Sequence, residues 1–222
     1  MLEGFGASGQ KALKEASVLI AGLGGLGAPV STYLAAAGAG RLGLCDSDVV
    51  SLTNLQRQTL YCDADVGEKK TECAARRLSQ MSPATVLDVI DRPLTRDNAA
   101  DLISRYDMVI DCTDNFATRL LIDSECRNLG KPWVHGALDG AYGCVTVFNF
   151  RNKRRLCDLY ENLEVLAGSS GGVVGTFGPV AGVIGSIQAM EAIKVLSGYG
   201  APLDGKLLMA DLKDLSFEII EF

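Results

Sequence analysis

Two cations and a carboxylate, Arg57, Lys70 and Asp114, mark this 222-residue chain for phosphate chemistry. Arginine and lysine neutralise polyphosphate charge, which is the main catalytic task when a phosphoryl or nucleotidyl group is transferred. A carboxylate such as Asp114 holds Mg²⁺ through oxygen ligation. Groups of matching chemistry stand nearby: Asn54 can donate to a phosphate oxygen, and Asp48 and Gln58 flank it in the stretch 46–58. Asn115 follows Asp114, where the pair can also cap a helix. The phosphate grip is Gly22-x-Gly24-x-x-Gly27, with Gly25 inside it. In such a loop one glycine allows the tight turn, one lets backbone approach phosphate, and one lets the next helix pack on the strand. Free N–H groups and the helix dipole then favour an anion. Asp46 falls about 20 residues later, where a carboxylate accepts bonds from ribose hydroxyls. The catalytic candidates are Arg57, Lys70 and Asp114. The nucleotide-binding candidates are Gly22, Gly24, Gly25, Gly27, Asp46, Asp48, Asn54, Arg57, Gln58, Lys70, Asp114 and Asn115.

Glycine loop and Asp46 together serve NAD as well as ATP. A hydride-transfer enzyme needs neither cations beside the phosphates nor an extra carboxylate, whereas an ATP-splitting enzyme needs both. Arg57, Lys70 and Asp114 therefore favour ATP with Mg²⁺. An NAD-dependent oxidoreductase stays as an alternative, with the lone His135 as its acid/base.

These residues need a frame that brings them together. Residues 17–22, 41–46, 85–90, 106–111 and 131–135 read as short apolar strands, and 25–37, 68–81 and 116–128 as helices. The alternation predicts parallel βαβ units with helices on both sheet faces. In such a sheet the carboxyl ends of the strands face the ligand, so Asp46 and Asp114 should point at one site. Residues 143–150 alternate and predict an antiparallel strand. Residues 151–178 show little periodicity and predict a long functional loop. A buried helix is expected over 180–196, then strands at 206–211 and 216–222. Gly182, Gly185 and Ala189 fall near one helical face and predict close packing on a sheet. The expected fold is α/β, a Rossmann-like, mostly parallel sheet extended by antiparallel strands in the C-terminal half. The expected organisation is a single domain over 1–222, divided into 17–135 and 136–222.

Composition excludes other classes. A net charge of −6 with scattered basic pairs supplies no clustered basic face for nucleic acid. Residues 165–190 carry no charge, but Gly168, Gly171, Gly172, Gly175, Gly178 and Pro179 break the run, so no membrane span is expected. Seven cysteines at 45, 62, 73, 112, 126, 144 and 157 form no Cys-x-x-Cys pair. An odd, scattered set predicts reduced thiols and a cytoplasmic protein.

The sequence resembles the ThiF/MoeB/HesA family, bacterial relatives of ubiquitin-activating enzymes. The stretches that carry it are VLIAGLGGLG (18–27), LCDSDVVSLTNLQRQTL (44–60), VGEKK (66–70), DCTDN (111–115) and GVIGSIQAMEAIKVLSGYG (182–200). The resemblance implies an adenylyltransferase. It would activate the C-terminal Gly-Gly carboxylate of a small ubiquitin-like sulfur carrier with ATP and Mg²⁺, giving an acyl-adenylate and pyrophosphate for thiamine, molybdopterin or related sulfur-transfer routes. It further implies that Asp46 holds the ribose and Gly25 lies against the nucleotide. Asn54, Arg57 and Lys70 would contact phosphates, and Asp114 would organise the metal. It implies a homodimer, with the carrier docking in the half 136–222, near 136–148 and 151–175. A non-catalytic ATP-binding scaffold relative is the alternative.

The chain departs from the family pattern in three places. The family commonly carries two Cys-x-x-Cys pairs for structural zinc, but only Cys157 lies near the first, so no zinc is expected. Some members carry a sulfur-transferring cysteine at the place of Gly171, beside Ser169 and Ser170, leaving Cys157 as a weak substitute. An arginine-bearing segment that would reach the partner subunit's ATP site is expected upstream of Met1 or absent.

Overall fold

Apolar runs too short for helices build the sheet. The computed structural model describes residues 2–168 and 175–222. Five parallel strands come first: β1 (Ser17–Ala21), β2 (Arg41–Asp46), β3 (Val86–Asp91), β4 (Met108–Asp111) and β5 (Trp133–Asp139). Three antiparallel strands extend them: β6 (Tyr142–Phe148), β7 (Lys206–Asp211) and β8 (Ser216–Glu221). The order is β3-β2-β1-β4-β5-β6-β7-β8, so β1 and β4, whose carboxyl ends flank the expected ligand crevice, are neighbours.

Helices cover both faces. On one, α2 (Gly27–Ala37), α3 (Lys70–Met81) and α8 (Gly178–Ser197) pack with Val18, Ile20, Leu42, Leu44, Ile110 and Val134. On the other, α4 (Ala99–Ser104), α5 (Phe116–Asn128) and α6 (Leu156–Leu159) pack with Leu19, Val109, Trp133 and Phe148. The remaining helices are α1 (Gly6–Glu15) and α7 (Leu163–Gly168). Side chains alternate across each strand, so one apolar run feeds both cores.

The expected elements are present with shifted ends. The helix after the glycine loop starts at Gly27 rather than residue 25, because Gly24 and Gly25 are spent on the turn. β5 runs on to Asp139 because β6 pairs with it along its whole length. The segment 151–178 contains α6 and α7 rather than only loop. One packing expectation is corrected. Gly185 meets α2, not the sheet: a Cβ there would lie 2.4 Å from Pro29 Cγ and 2.7 Å from the Leu26 carbonyl oxygen. Among the described residues, a Cβ on Gly182 would meet nothing within 4 Å. Glycines on the sheet itself let α8 approach it, since a Cβ on Gly136 would strike Gln188 and one on Gly143 would strike Ile184. The helix Gly178–Ser197 is long and apolar enough to cross a membrane by length and composition. Here its buried residues, Val180, Ile184, Gly185, Gln188 and Ala192 among them, pack into the protein.

Candidate functional site

β1 and β2 end side by side, Ala21 opposite Cys45, and Ala21 also pairs with Asp111 of β4. Everything that follows these residues therefore emerges at one rim of the sheet. Gly22 continues β1 with its N–H donated to the Cys45 carbonyl, and turns at φ 92°, a conformation that glycine tolerates. A Cβ on Gly27 would lie 2.1 Å from the Gly22 carbonyl oxygen, so only glycine lets α2 begin there. The N–H groups of Gly24, Gly25 and Leu26 have no hydrogen-bond partner among the described residues. Free donors at a helix start form an anion cradle.

The predicted polar residues gather around this loop. Asp46 ends β2, accepting the Leu23 N–H at 2.7 Å and the Asp48 N–H at 2.8 Å. It thus fixes the loop while its carboxylate keeps lone pairs for a further donor. Residues 51–61 brace the loop from the side. The Asn54 carbonyl accepts from Arg57 N at 3.0 Å and from Gln58 N at 2.9 Å. The Tyr61 hydroxyl donates to the Leu23 carbonyl at 2.9 Å. The Arg57 guanidinium donates to the Thr53 carbonyl at 3.2 Å, and its stem runs past Gly25. Gly25 also faces Ala181 in the first turn of α8. Gln58 is buried behind Gly24, which makes it a support of the loop more than a face of the crevice.

Lys70 opens α3, and its side chain is 6% exposed. Its ammonium reaches the exposed Asp48 carboxylate at 2.8 Å. A buried ammonium requires such a partner. Asp48 is therefore the residue that holds the Lys70 ammonium. Asp114 follows β4 and is exposed, and among the described residues its one polar contact is a 3.5 Å approach of the Asn115 amide. Capping of α5 falls to Asn115 alone, whose side chain accepts the Thr118 N–H at 2.9 Å. Asp114 is left free for another ligand.

Beneath Asp114 lies a group of residues that sequence reading did not assemble. Asp111 is fully buried, accepting from Thr113 N at 3.0 Å and from the Thr113 hydroxyl at 2.6 Å. Its second oxygen meets His135 Nδ1 at 2.9 Å and Arg119 Nε at 3.3 Å. Burial alone would raise the Asp111 carboxyl, but His135, Arg119 and Thr113 together hold it below its usual range. Burial would likewise lower His135, and the Asp111 carboxylate overrides this and raises it. On its far side His135 Nε2 meets the Tyr160 hydroxyl at 3.0 Å. That hydroxyl is 3.8 Å from Cys144 Sγ. A strand-end Asp and a distant His give no local pattern; only the register Asp111↔His135 between β4 and β5 brings them together. His135 has no exposed surface and both ring nitrogens are engaged, which removes it as an acid/base toward a nicotinamide.

All seven cysteines are free thiols. Cys157 is exposed on α6. Ser169, Ser170 and Gly171, the place of the family's sulfur-transferring cysteine, lie outside the described residues. Among the described residues no three His, Cys, Asp or Glu side chains gather to hold a metal ion.

The ThiF family model matches residues 1–222. The chain is 44% identical over 220 residues to a molybdopterin-synthase adenylyltransferase of Escherichia coli strain K12, covering 98% of this chain and 87% of the relative. It is 41% identical over 223 residues to a sulfur carrier protein adenylyltransferase of Thermus thermophilus, covering 98% and 82%. Among solved structures, E. coli MccB with ATP superposes with a TM-score of 0.84 at 26% identity, over 96% of this chain and 65% of that one. The chain thus spans just under two thirds of the length of that solved protein.

Proposed function

The chain belongs to the ThiF family, and from that premise we propose that it is an adenylyltransferase that activates a sulfur carrier protein with ATP. One observation carries the reading: loop N–H groups without a partner among the described residues, Asp46, Arg57, Lys70 and Asp114 share one rim of the sheet.

On this reading the loop 22–27 receives phosphate at its free N–H groups, and Asp46 accepts from ribose. Asn54, Arg57 and Lys70 meet the phosphates, and Asp48 sets the position of Lys70. Asp114 would hold Mg²⁺ together with phosphate oxygens; when bound, the metal neutralises charge between them. The carrier's C-terminal Gly-Gly carboxylate attacks the α-phosphorus, the bond to the β-phosphate oxygen breaks, and pyrophosphate leaves. No protein nucleophile enters that step. The chain contributes positioning and charge stabilisation, the cations taking up charge that moves onto pyrophosphate. A homodimer and the reducing cytoplasm complete the proposal; seven free thiols suit that compartment.

Exchange of labelled pyrophosphate into ATP, in the presence of Mg²⁺ and a Gly-Gly-ended carrier, tests it. Exchange that depends on the carrier is expected. ATP binding without exchange would instead favour a non-catalytic scaffold.

A further inference from the structure

Cys144 sits in β6 opposite Ala137, two residues beyond His135 toward the carboxyl end of β5. It therefore lies on the same rim as the glycine loop and Asp114. It is two strands from β4, about 10 Å at ordinary strand spacing. It is partly exposed, unlike His135 and Asp111. The turn between β5 and β6 is tied to the segment entering α8, since the Thr176 hydroxyl donates to the Gly140 carbonyl at 2.8 Å.

Hydrogen-bond directions around Cys144 are forced from the buried end. Asp111 is ionised and only accepts, so His135 Nδ1 donates to it at 2.9 Å. In the neutral ring Nε2 is then an acceptor, and the Tyr160 hydroxyl donates to it at 3.0 Å. The hydroxyl oxygen is left to accept the Cys144 S–H at 3.8 Å, an ordinary length for sulfur. A proton leaving Cys144 thus has a continuous route to His135, and the imidazolium that forms is held by Asp111. A cysteine, a base and an orienting carboxylate in series form an activated nucleophile. Arg119, the other charged group facing the cluster, adds positive potential from α5. Burial by itself would raise the Cys144 thiol; His135, with Tyr160 and Arg119, brings it below the usual thiol value.

We propose that Cys144 is a nucleophile that accepts the activated acyl group of the carrier as a thioester. This rests on the adenylation reading above, which supplies the acyl-adenylate. The proton of Cys144 passes through the Tyr160 hydroxyl to His135 Nε2. The thiolate attacks the acyl carbonyl carbon, a C–S bond forms, and the C–O bond to the α-phosphate breaks. AMP departs with that electron pair, and the proton on His135 Nε2 leaves by the way it came, through the Tyr160 hydroxyl. The step is an acyl exchange with no change of oxidation state. Tyr160 and Asp111 act as positioning residues. The thioester keeps the activated acyl group after AMP has left, ready for a sulfur or amine acceptor.

Two measurements on the full-length protein test this. The first joins pyrophosphate exchange to intact-mass analysis with ATP, Mg²⁺ and a Gly-Gly-ended carrier. The expected product is an adduct of protein plus carrier minus water. It is released by thiol or hydroxylamine, maps to Cys144, and is missing in Cys144→Ala while exchange persists. Exchange with no adduct, or an adduct at Cys62 or Cys157, overturns the thioester and leaves adenylation standing. Loss of exchange in the wild type overturns adenylation, and the thioester with it. The second measurement needs no carrier. At pH 6 an ordinary thiol of pKa about 8.5 is under roughly 1% ionised. Iodoacetamide should then label Cys144 at least about tenfold faster than exposed Cys62 or Cys157, and His135→Asn should abolish that preference. Equal labelling of the three cysteines in the wild type overturns the activated thiol.

Discussion

Asp114 and Asp111 stand three residues apart on the same strand end and do opposite work. Asp114 is exposed and uncommitted, as a metal-holding carboxylate requires; Asp111 is buried and spoken for by His135, Arg119 and Thr113. Asp114→Ala should abolish pyrophosphate exchange while calorimetric ATP binding survives. Lys70→Ala should cut the exchange rate by about 10²–10³, the usual loss when one preorganised charge is removed from a developing anion. Asp111→Asn should act on stability instead, since it strands the Arg119 charge in the interior. Breaking a buried pair in this way costs about 3–5 kcal/mol, readable by urea denaturation. The pH dependence follows from the directions of the shifts. Asp111 titrates lower in the folded state, so its contribution is present above about pH 4 and is lost as pH falls through the folded value. His135 titrates higher when folded, so its contribution is full below about pH 6.5 and fades as pH rises through the folded value. The stability gap between wild type and His135→Asn should accordingly narrow above neutrality.

At the scale of elements, helix starts set the site. α2 begins where the glycine loop ends, α3 begins with Lys70, and α5 begins beside Asp114. Asn115→Ala removes the single side-chain cap of α5 and should cost about 1 kcal/mol. That corresponds to about 2–4 °C in Tm for a domain of this size, measured by scanning calorimetry. Gly27→Ala should be far worse, because its Cβ would fall on the Gly22 carbonyl oxygen and push α2 off the strand. Both Tm and nucleotide affinity should drop together. The strand and helix pattern of these elements is readable from apolar periodicity. The close approach of α8 is not, because it depends on Gly136 and Gly143 in other elements, and Gly185 finds its partner in α2.

Over the whole molecule, the core face of the sheet runs on past the helices that cover it. Leu208 and Ala210 of β7 lie in the core, while Phe217 and Ile219 of β8, paired to Ala210 and Leu208, are about half exposed. The same apolar face thus continues as an open surface at the sheet edge, in the half expected to receive the carrier. Phe217→Asp with Ile219→Asp should weaken carrier binding by at least about tenfold, roughly one buried apolar side chain. ATP affinity should be unchanged, both being measured by calorimetry. Unaltered carrier affinity would place docking elsewhere.

Periodicity and turn chemistry are local, so the mostly parallel α/β architecture and the glycine loop are legible in the chain alone. Asp46, Asn54, Arg57, Lys70 and Asp114 stand out as candidates in the same way, because residue types at strand ends and helix starts advertise their chemistry. Whatever depends on strand register and packing appears only in the folded chain. The fold pairs Asp48 with Lys70, gives the helix cap to Asn115 and leaves Asp114 exposed, and sets Gln58 behind the loop. It also joined Asp111, His135, Tyr160 and Cys144 into one hydrogen-bonded series. Those four residues come from three strands and a distant segment, separated by up to 49 positions (160 minus 111). The pairing of β4 with β5 and of β5 with β6 brings Asp111, His135 and Cys144 together, and the segment after α6 sets Tyr160 between the last two.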